Sequence, residues 1–135
     1  MSLTRAPRLE TDRLILRSPE TADAEAYIAF LTDRPRADGF GAYDNRGDAW
    51  RWFALNVGHW HIHGYGYFTL ELKDTGAVAG ICGIWNPEGW PEPEIGWALF
   101  AGHEGKGLAV EAALRARRWA YEELGRPALT SNSAP

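Results

Sequence analysis

The stretch Glu94-Ile95-Gly96-Trp97-Ala98-Leu99-Phe100 runs through Ala101 into Gly102-His103-Glu104-Gly105-Lys106-Gly107, and at once into Leu108-Ala109-Val110-Glu111-Ala112. An apolar extended run, a glycine-rich turn and an alanine-rich segment in that order predict strand, turn and helix. Such a junction aims several backbone N–H groups, and the positive end of a helix dipole, at one point. A phosphate or pyrophosphate binds well there, so the chain is expected to hold a phosphorylated cofactor.

The helix after the turn is predicted over 108–124. Ala109, Ala113, Ala116, Ala120 and Leu124 give it a narrow apolar stripe, and Glu111, Arg115, Arg118 and Glu122 the opposite face. Glu111–Arg115 and Arg118–Glu122 stand at i,i+4, and Gly125 follows as C-cap. Upstream, residues 13–17 read as a short strand. Ser18-Pro19 then supplies a cap and a first-turn proline for a helix through Tyr27, Ile28 and Leu31. Residues 33–47, rich in Gly, Pro, Asp and Arg, read as a mobile loop. Asp48 is placed to cap a second helix carrying Trp50, Phe53, Ala54, Val57 and Trp60 at helical spacing. From Tyr65 the period becomes two. Phe68, Leu70 and Leu72 alternate with Tyr67, Thr69 and Glu71, and a turn at 73–76 returns the chain as the apolar strand ending at Trp85. Residues 128–130 begin a fifth strand. With no repeat or linker, residues 1–135 form one α+β domain.

Composition narrows the partners. A net charge of -4 argues against nucleic acid, which calls for a basic face. No apolar run is long enough for a membrane span, and there is no signal-peptide core. The single cysteine, Cys82, allows no internal disulfide and reads as buried filler. A cytoplasmic location is expected. His59, His61 and His63 alternate, but they bring no fourth ligand at a recognised spacing, so no metal site is expected.

Two phosphate-binding devices fail on spacing. A Walker A loop would need glycine where Phe100 stands and Ser or Thr where Gly107 stands. A Rossmann fingerprint would need its third glycine at Val110, and a hairpin rather than a βαβ unit precedes the turn. The acyl-coenzyme A loop remains, and here the chain resembles a family. From about Leu9 to Leu124 it is similar to the GNAT (GCN5-related) N-acetyltransferases, in the branch resembling ribosomal-protein N-terminal acetyltransferases. The resemblance is carried by Leu9 to Arg17, Asp23, Gly80 to Gly83, Glu94-Ile95-Gly96-Trp97 and Gly105-Lys106-Gly107-Leu108-Ala109-Val110-Glu111-Ala112.

The resemblance implies a GNAT-like fold, a mixed and mostly antiparallel sheet flanked by helices. It implies acetyl-CoA as cofactor, its pyrophosphate on the backbone of Gly105, Lys106, Gly107, Leu108 and Ala109. It implies pantetheine along Trp97, Ala98, Leu99 and Phe100, on a strand that carries a bulge and splays from the next. Glu104 departs from the pattern, because a carboxylate beside the pyrophosphate weakens binding unless it points away. The family also continues beyond Thr130 with another helix and two strands. This chain is therefore expected to be a domain truncated after its fifth strand, or one completed by a homodimer through that exposed strand edge.

The expected activity is acetyl transfer to a primary amine, on a protein N-terminus or a small molecule. An α-amine near pKa 7.8 needs little help to lose its proton, so a carboxylate acting through water suffices. Glu94 is the candidate base, with Glu92 as the weaker alternative, and Trp85, Trp90 and Trp97 are candidate walls of the acceptor site. The competing reading is a non-catalytic acyl-CoA-binding or oligomerising module.

Overall fold

The computed structural model describes residues 2–125 and 130–131. Its strands are β1 (Leu9–Glu10), β2 (Leu14–Arg17), β3 (Tyr67–Leu72), β4 (Val78–Trp85), β5 (Glu94–Leu99) and β6 (Thr130–Ser131). The helices are α1 (Ala24–Leu31), the short α2 (Arg34–Ala37), α3 (Arg46–His63) and α4 (Leu108–Leu124). Strands pair in chain order, antiparallel from β1 to β5, and β6 joins β5 in parallel. This is the mixed, mostly antiparallel sheet with flanking helices that the sequence predicts. Of the expected fifth strand, Ala128 and Leu129 lie outside the described residues, and Thr130 is in β6.

Alternation along the strands makes two cores. Leu14, Leu16, Phe68, Leu70, Cys82, Ile84 and Ile95 face α4, and Tyr67, Ile81 and Trp85 face α1 and α3. α4 buries Leu108, Ala112, Ala116, Trp119 and Ala120, a stripe rotated from the expected one because Trp119 reaches Phe68 and Trp60. Gly125 caps the helix with φ 64°. Arg118 pairs with Glu122 at 3.9 Å, but Glu111 turns to Arg13 instead of Arg115. Burial holds the Arg115 guanidinium below its ordinary value.

Three helix predictions are corrected by polar side chains. Ser18 does not cap α1, since its hydroxyl binds Thr4 at 2.6 Å. Instead Asp23 accepts from the Glu20 N–H at 2.8 Å, and a 3-10 turn at Thr21–Asp23 leads into α1. Asn45 rather than Asp48 caps α3, accepting from the Asp48 N–H at 2.9 Å. The buried face of α3 is Ala49, Trp52, Phe53, Asn56, His59 and Trp60, while Trp50 points outward. The buried Asn56 and His59 are what hid that face. Residues 33–47 are less loop-like than expected, because α2 lies within them.

Both hidden polar residues tie α3 to the sheet. Asn56 accepts from the Tyr67 N–H at 2.9 Å and donates to the Tyr67 carbonyl at 3.1 Å, completing the strand edge as a neighbouring backbone would. His59 Nδ1 donates to the Tyr65 carbonyl at 2.7 Å, and Nε2 accepts from the Asn86 N–H at 2.9 Å. The ring is neutral in that role, and burial pushes it down to about 4. The other two histidines go elsewhere. His61 Nε2 meets the Leu3 carbonyl at 2.9 Å, and the His63 ring stacks on Tyr65.

One buried ion cluster fixes the far side. Arg17 donates to both oxygens of Asp23 at 2.8 and 2.9 Å and to Glu71 at 2.7 Å. Arg17→Met is expected to lower unfolding stability by about 3–5 kcal/mol in urea titration, because it strands the buried Asp23 carboxylate. Adding Asp23→Asn to that variant is expected to recover part of the loss. His59 gives a pH prediction. The unfolded chain takes its proton near 6.5 and the folded chain only near 4, so stability falls as pH drops between those values. The advantage of wild type over His59→Gln is expected to shrink by up to about 3 kcal/mol across that window, read from denaturant melts at stepped pH.

Candidate active site

A cavity of about 960 Å3 opens on the α1–α3 side of the sheet and runs to the glycine turn before α4. That is ample for a cofactor arm together with an acceptor. At one end its lining is aromatic. Phe40, Trp52, Tyr67 and Trp85 form a ring cluster with centroids 4.9–6.2 Å apart, and Trp90 and Trp97 also line the space. His59 stacks on the back of Trp85 at 4.4 Å, so α3 braces this wall from behind. At the other end lie Leu99, Glu104, Gly105 and Ala109.

Strand β5 presents its two edges differently. Phe100 donates its N–H to the Ala79 carbonyl at 2.8 Å, and the β4–β5 register is unbroken from Trp85↔Glu94 to Gly80↔Leu99. Backbone groups of Glu94, Gly96, Ala98 and Phe100 therefore face β4, and those of Ile95, Trp97 and Leu99 face the other edge. Among the described residues β6 pairs with Glu94 and Ile95 on that edge. The bulge expected in β5 is not there: the β4–β5 register is continuous, and the register shift among the described strands lies between β3 and β4 at Leu70/Glu71.

Of the predicted cofactor residues, the structure brings Trp97, Ala98, Leu99, Gly105 and Ala109 to the cavity. Phe100 is packed into the second core, stacked on Phe30 at 5.0 Å, and Leu108 is buried against the sheet. Gly105 and Gly107 both adopt φ 77°, which L side chains rarely tolerate, and nothing stands within 4 Å of where a Gly105 side chain would begin. The turn is tied from behind. Arg13 donates through Nη1 to the Lys106 carbonyl at 2.7 Å and through Nε to Glu111 at 2.8 Å. The Arg13 N–H and the Thr11 hydroxyl also donate to Glu111. Lys106 itself is exposed.

Glu94 shares its sheet face with Trp85 and Ala98, which line the cavity, but neither Glu94 nor Glu92 is itself among the lining residues. Its Oε2 is buried and has no hydrogen-bond partner among the described residues. The Tyr67 phenol is pushed well above its ordinary value, mainly by burial, with smaller contributions from Cys82 and Glu94. Burial also raises Tyr43, so both cavity tyrosines stay protonated and can donate. Cys82 is fully buried, its thiol pushed up to about 12 by burial. Glu104 is answered by Arg36, whose Nε donates to Oε2 at 2.7 Å and holds the carboxylate below its usual range.

Sequence reasoning missed the segment around α2, which delivers Arg36, Asp38, Phe40 and Tyr43 to the cavity. The signal was two aromatics set among glycines. Among the described residues no helix is long and apolar enough to cross a membrane, and no group of three His, Cys, Asp or Glu is placed to hold a metal.

Comparison with known proteins agrees with this geometry. Residues 13–135 match the family model of the acetyltransferase (GNAT) domain. The acetyltransferase from Agrobacterium tumefaciens str. C58 superposes with a TM-score of 0.82 at 41% identity, over 90% of this chain and 71% of that one. A GNAT-family acetyltransferase from Bordetella pertussis gives 0.76 at 28% identity, over 90% and 75% of the two chains. A ribosomal-protein-S5-alanine acetyltransferase from Vibrio fischeri, at 0.60 and 20% identity over 88% and 69%, shares the fold. A glycine turn opening α4, a cavity along β5 and these matches together make the chain a member of the GNAT acetyltransferase family.

Proposed function

We propose that the protein transfers an acetyl group from acetyl-CoA to a primary amine, on a peptide N-terminus or a small molecule. The observation that carries this reading is the continuity of one cavity from the glycine turn to the sheet face bearing Glu94. The residues at the turn fit the cofactor. Gly105 leaves open space beside a left-handed backbone at the positive end of α4, suited to a pyrophosphate. Arg13 fixes the Lys106 carbonyl at 2.7 Å, which holds the shape of the turn beside Gly105. Leu99 and Ala109 offer apolar contact for a pantetheine arm. Bound there, acetyl-CoA supplies an activated thioester.

The chain's own residues then manage the amine. The aromatic walls exclude water, which keeps the amine poorly solvated and favours its neutral form. Glu94, set on the cavity-bearing face just behind the lining, takes the amine proton through water. Tyr67 and Tyr43 remain protonated and can donate to the departing sulfur. An α-amine near pKa 7.8 needs well under 1 kcal/mol to be neutral at pH 7.4, against about 4 for a lysine near 10.4, so a carboxylate base favours the former. The lone cysteine accords with a cytoplasmic setting.

Calorimetry with acetyl-CoA and turnover over a panel of amines and peptides tests the proposal. Binding with turnover is expected. Binding without turnover would favour a non-catalytic module, and no binding at millimolar ligand would end both. Glu94→Gln is expected to lower kcat about a hundredfold while leaving the acetyl-CoA Kd unchanged. An equal loss in Kd would reassign Glu94 to the cofactor.

A further inference from the structure

Arg36 and Glu104 face each other across the cavity, one on α2 and the other beside the first glycine of the turn. Among the described residues that line this cavity, Arg36 is the one cationic side chain, whereas Asp38, Glu88 and Glu104 are all carboxylates. An anion brought to Gly105 would therefore meet three carboxylates from the cavity side, answered there by that guanidinium, while Lys106 and Arg13 lie at the turn itself. The guanidinium is engaged twice, by Glu104 Oε2 at 2.7 Å and by Asp33 Oδ2. Its side chain is 31% exposed and that of Glu104 48%, so the bond between them is reachable by solvent and by ligand. An exposed pair of this kind contributes little to stability and is readily exchanged.

We infer that Arg36 is a phosphate ligand of the acyl-CoA, held at the pyrophosphate turn by Glu104 and passed to the cofactor when it binds. Asp33 keeps the guanidinium oriented from behind while Glu104 gives up its share. The exchange trades a carboxylate for a phosphate of higher charge density in the same fork geometry. It also accounts for Glu104, which would otherwise repel the cofactor: before the cofactor binds, it keeps the Arg36 guanidinium in place. Cofactor affinity then carries the cost of breaking the pair, so Glu104 weakens binding without touching the ligand. This inference rests on the acyl-CoA reading above.

The test is calorimetric titration of CoA into wild type, Arg36→Gln and Glu104→Gln, with thermal melts to verify folding. Arg36→Gln is expected to raise the Kd by about tenfold or more. Glu104→Gln, which frees the guanidinium, is expected to bind at least as tightly as wild type and about threefold tighter at low salt. Both variants break the same ion pair, so a merely structural role would weaken binding in both alike, and that result would overturn the inference. So would an unchanged Kd in Arg36→Gln. If wild type bound no CoA, the cofactor reading would fail and take this one with it.

Discussion

The anchoring of Glu111 is the interaction on which the glycine-turn end of the molecule depends. In the first turn of α4 its carboxylate gathers the Thr11 hydroxyl, the Arg13 N–H and the Arg13 guanidinium. That same guanidinium reaches on to the Lys106 carbonyl. A hundred residues of intervening chain are thereby closed onto the start of the sheet, at the point where the glycine turn needs a fixed shape. Without that hold, the left-handed residues Gly105 and Gly107 would allow many turn conformations. With it, the Lys106 carbonyl has a fixed partner and the turn a fixed shape. Glu111 also sits where a helix dipole favours negative charge, and so stabilises the helix that supplies the binding point.

At the acceptor end the corresponding work falls to α3. Asn56 grips both backbone groups of Tyr67, Trp60 Nε1 donates to the same carbonyl at 3.0 Å, and His59 links the Tyr65 carbonyl to the Asn86 amide. These bonds hold two aromatic walls, Tyr67 and Trp85, against a helix that is not itself part of the sheet. A wall built in this way is stiff because each polar atom in it has a specific partner. The cavity is thus bounded by a rigid brace on one side and, around α2, by a segment attached through surface ion pairs on the other.

The strand–turn–helix at 94–124 was legible because three independent signals coincide there: alternation, glycine punctuation and a long alanine-rich helical run. The hairpin of β3 and β4 was legible from alternation and its turn residues. What stayed hidden was set by long-range partners. Asn56 and His59 fall outside the face predicted for α3 because nothing local reveals the strand backbone they satisfy. Glu111 read as the i,i+4 partner of Arg115 because Arg13 is close only after folding. Phe100 read as the end of a cofactor strand, but the aromatic neighbours Tyr27 and Phe30 draw it into the core. The loop at 33–47 read as mobile from composition alone, and composition says nothing of an arginine answering Glu104 from across a cleft.

The two-sided character of β5 has an evolutionary consequence. Toward its outer edge the backbone of β5 directs amide and carbonyl groups, which every residue type possesses, while the Ala98 side chain lies on the cavity face and that of Trp97 packs toward α4. Under the proposed activity, a cofactor held through main chain and an acceptor met by side chains would share the same few residues without conflict. Substitutions along β5 would then redraw the acceptor site while the main-chain contacts persist. One strand would thus be open to retuning by single steps.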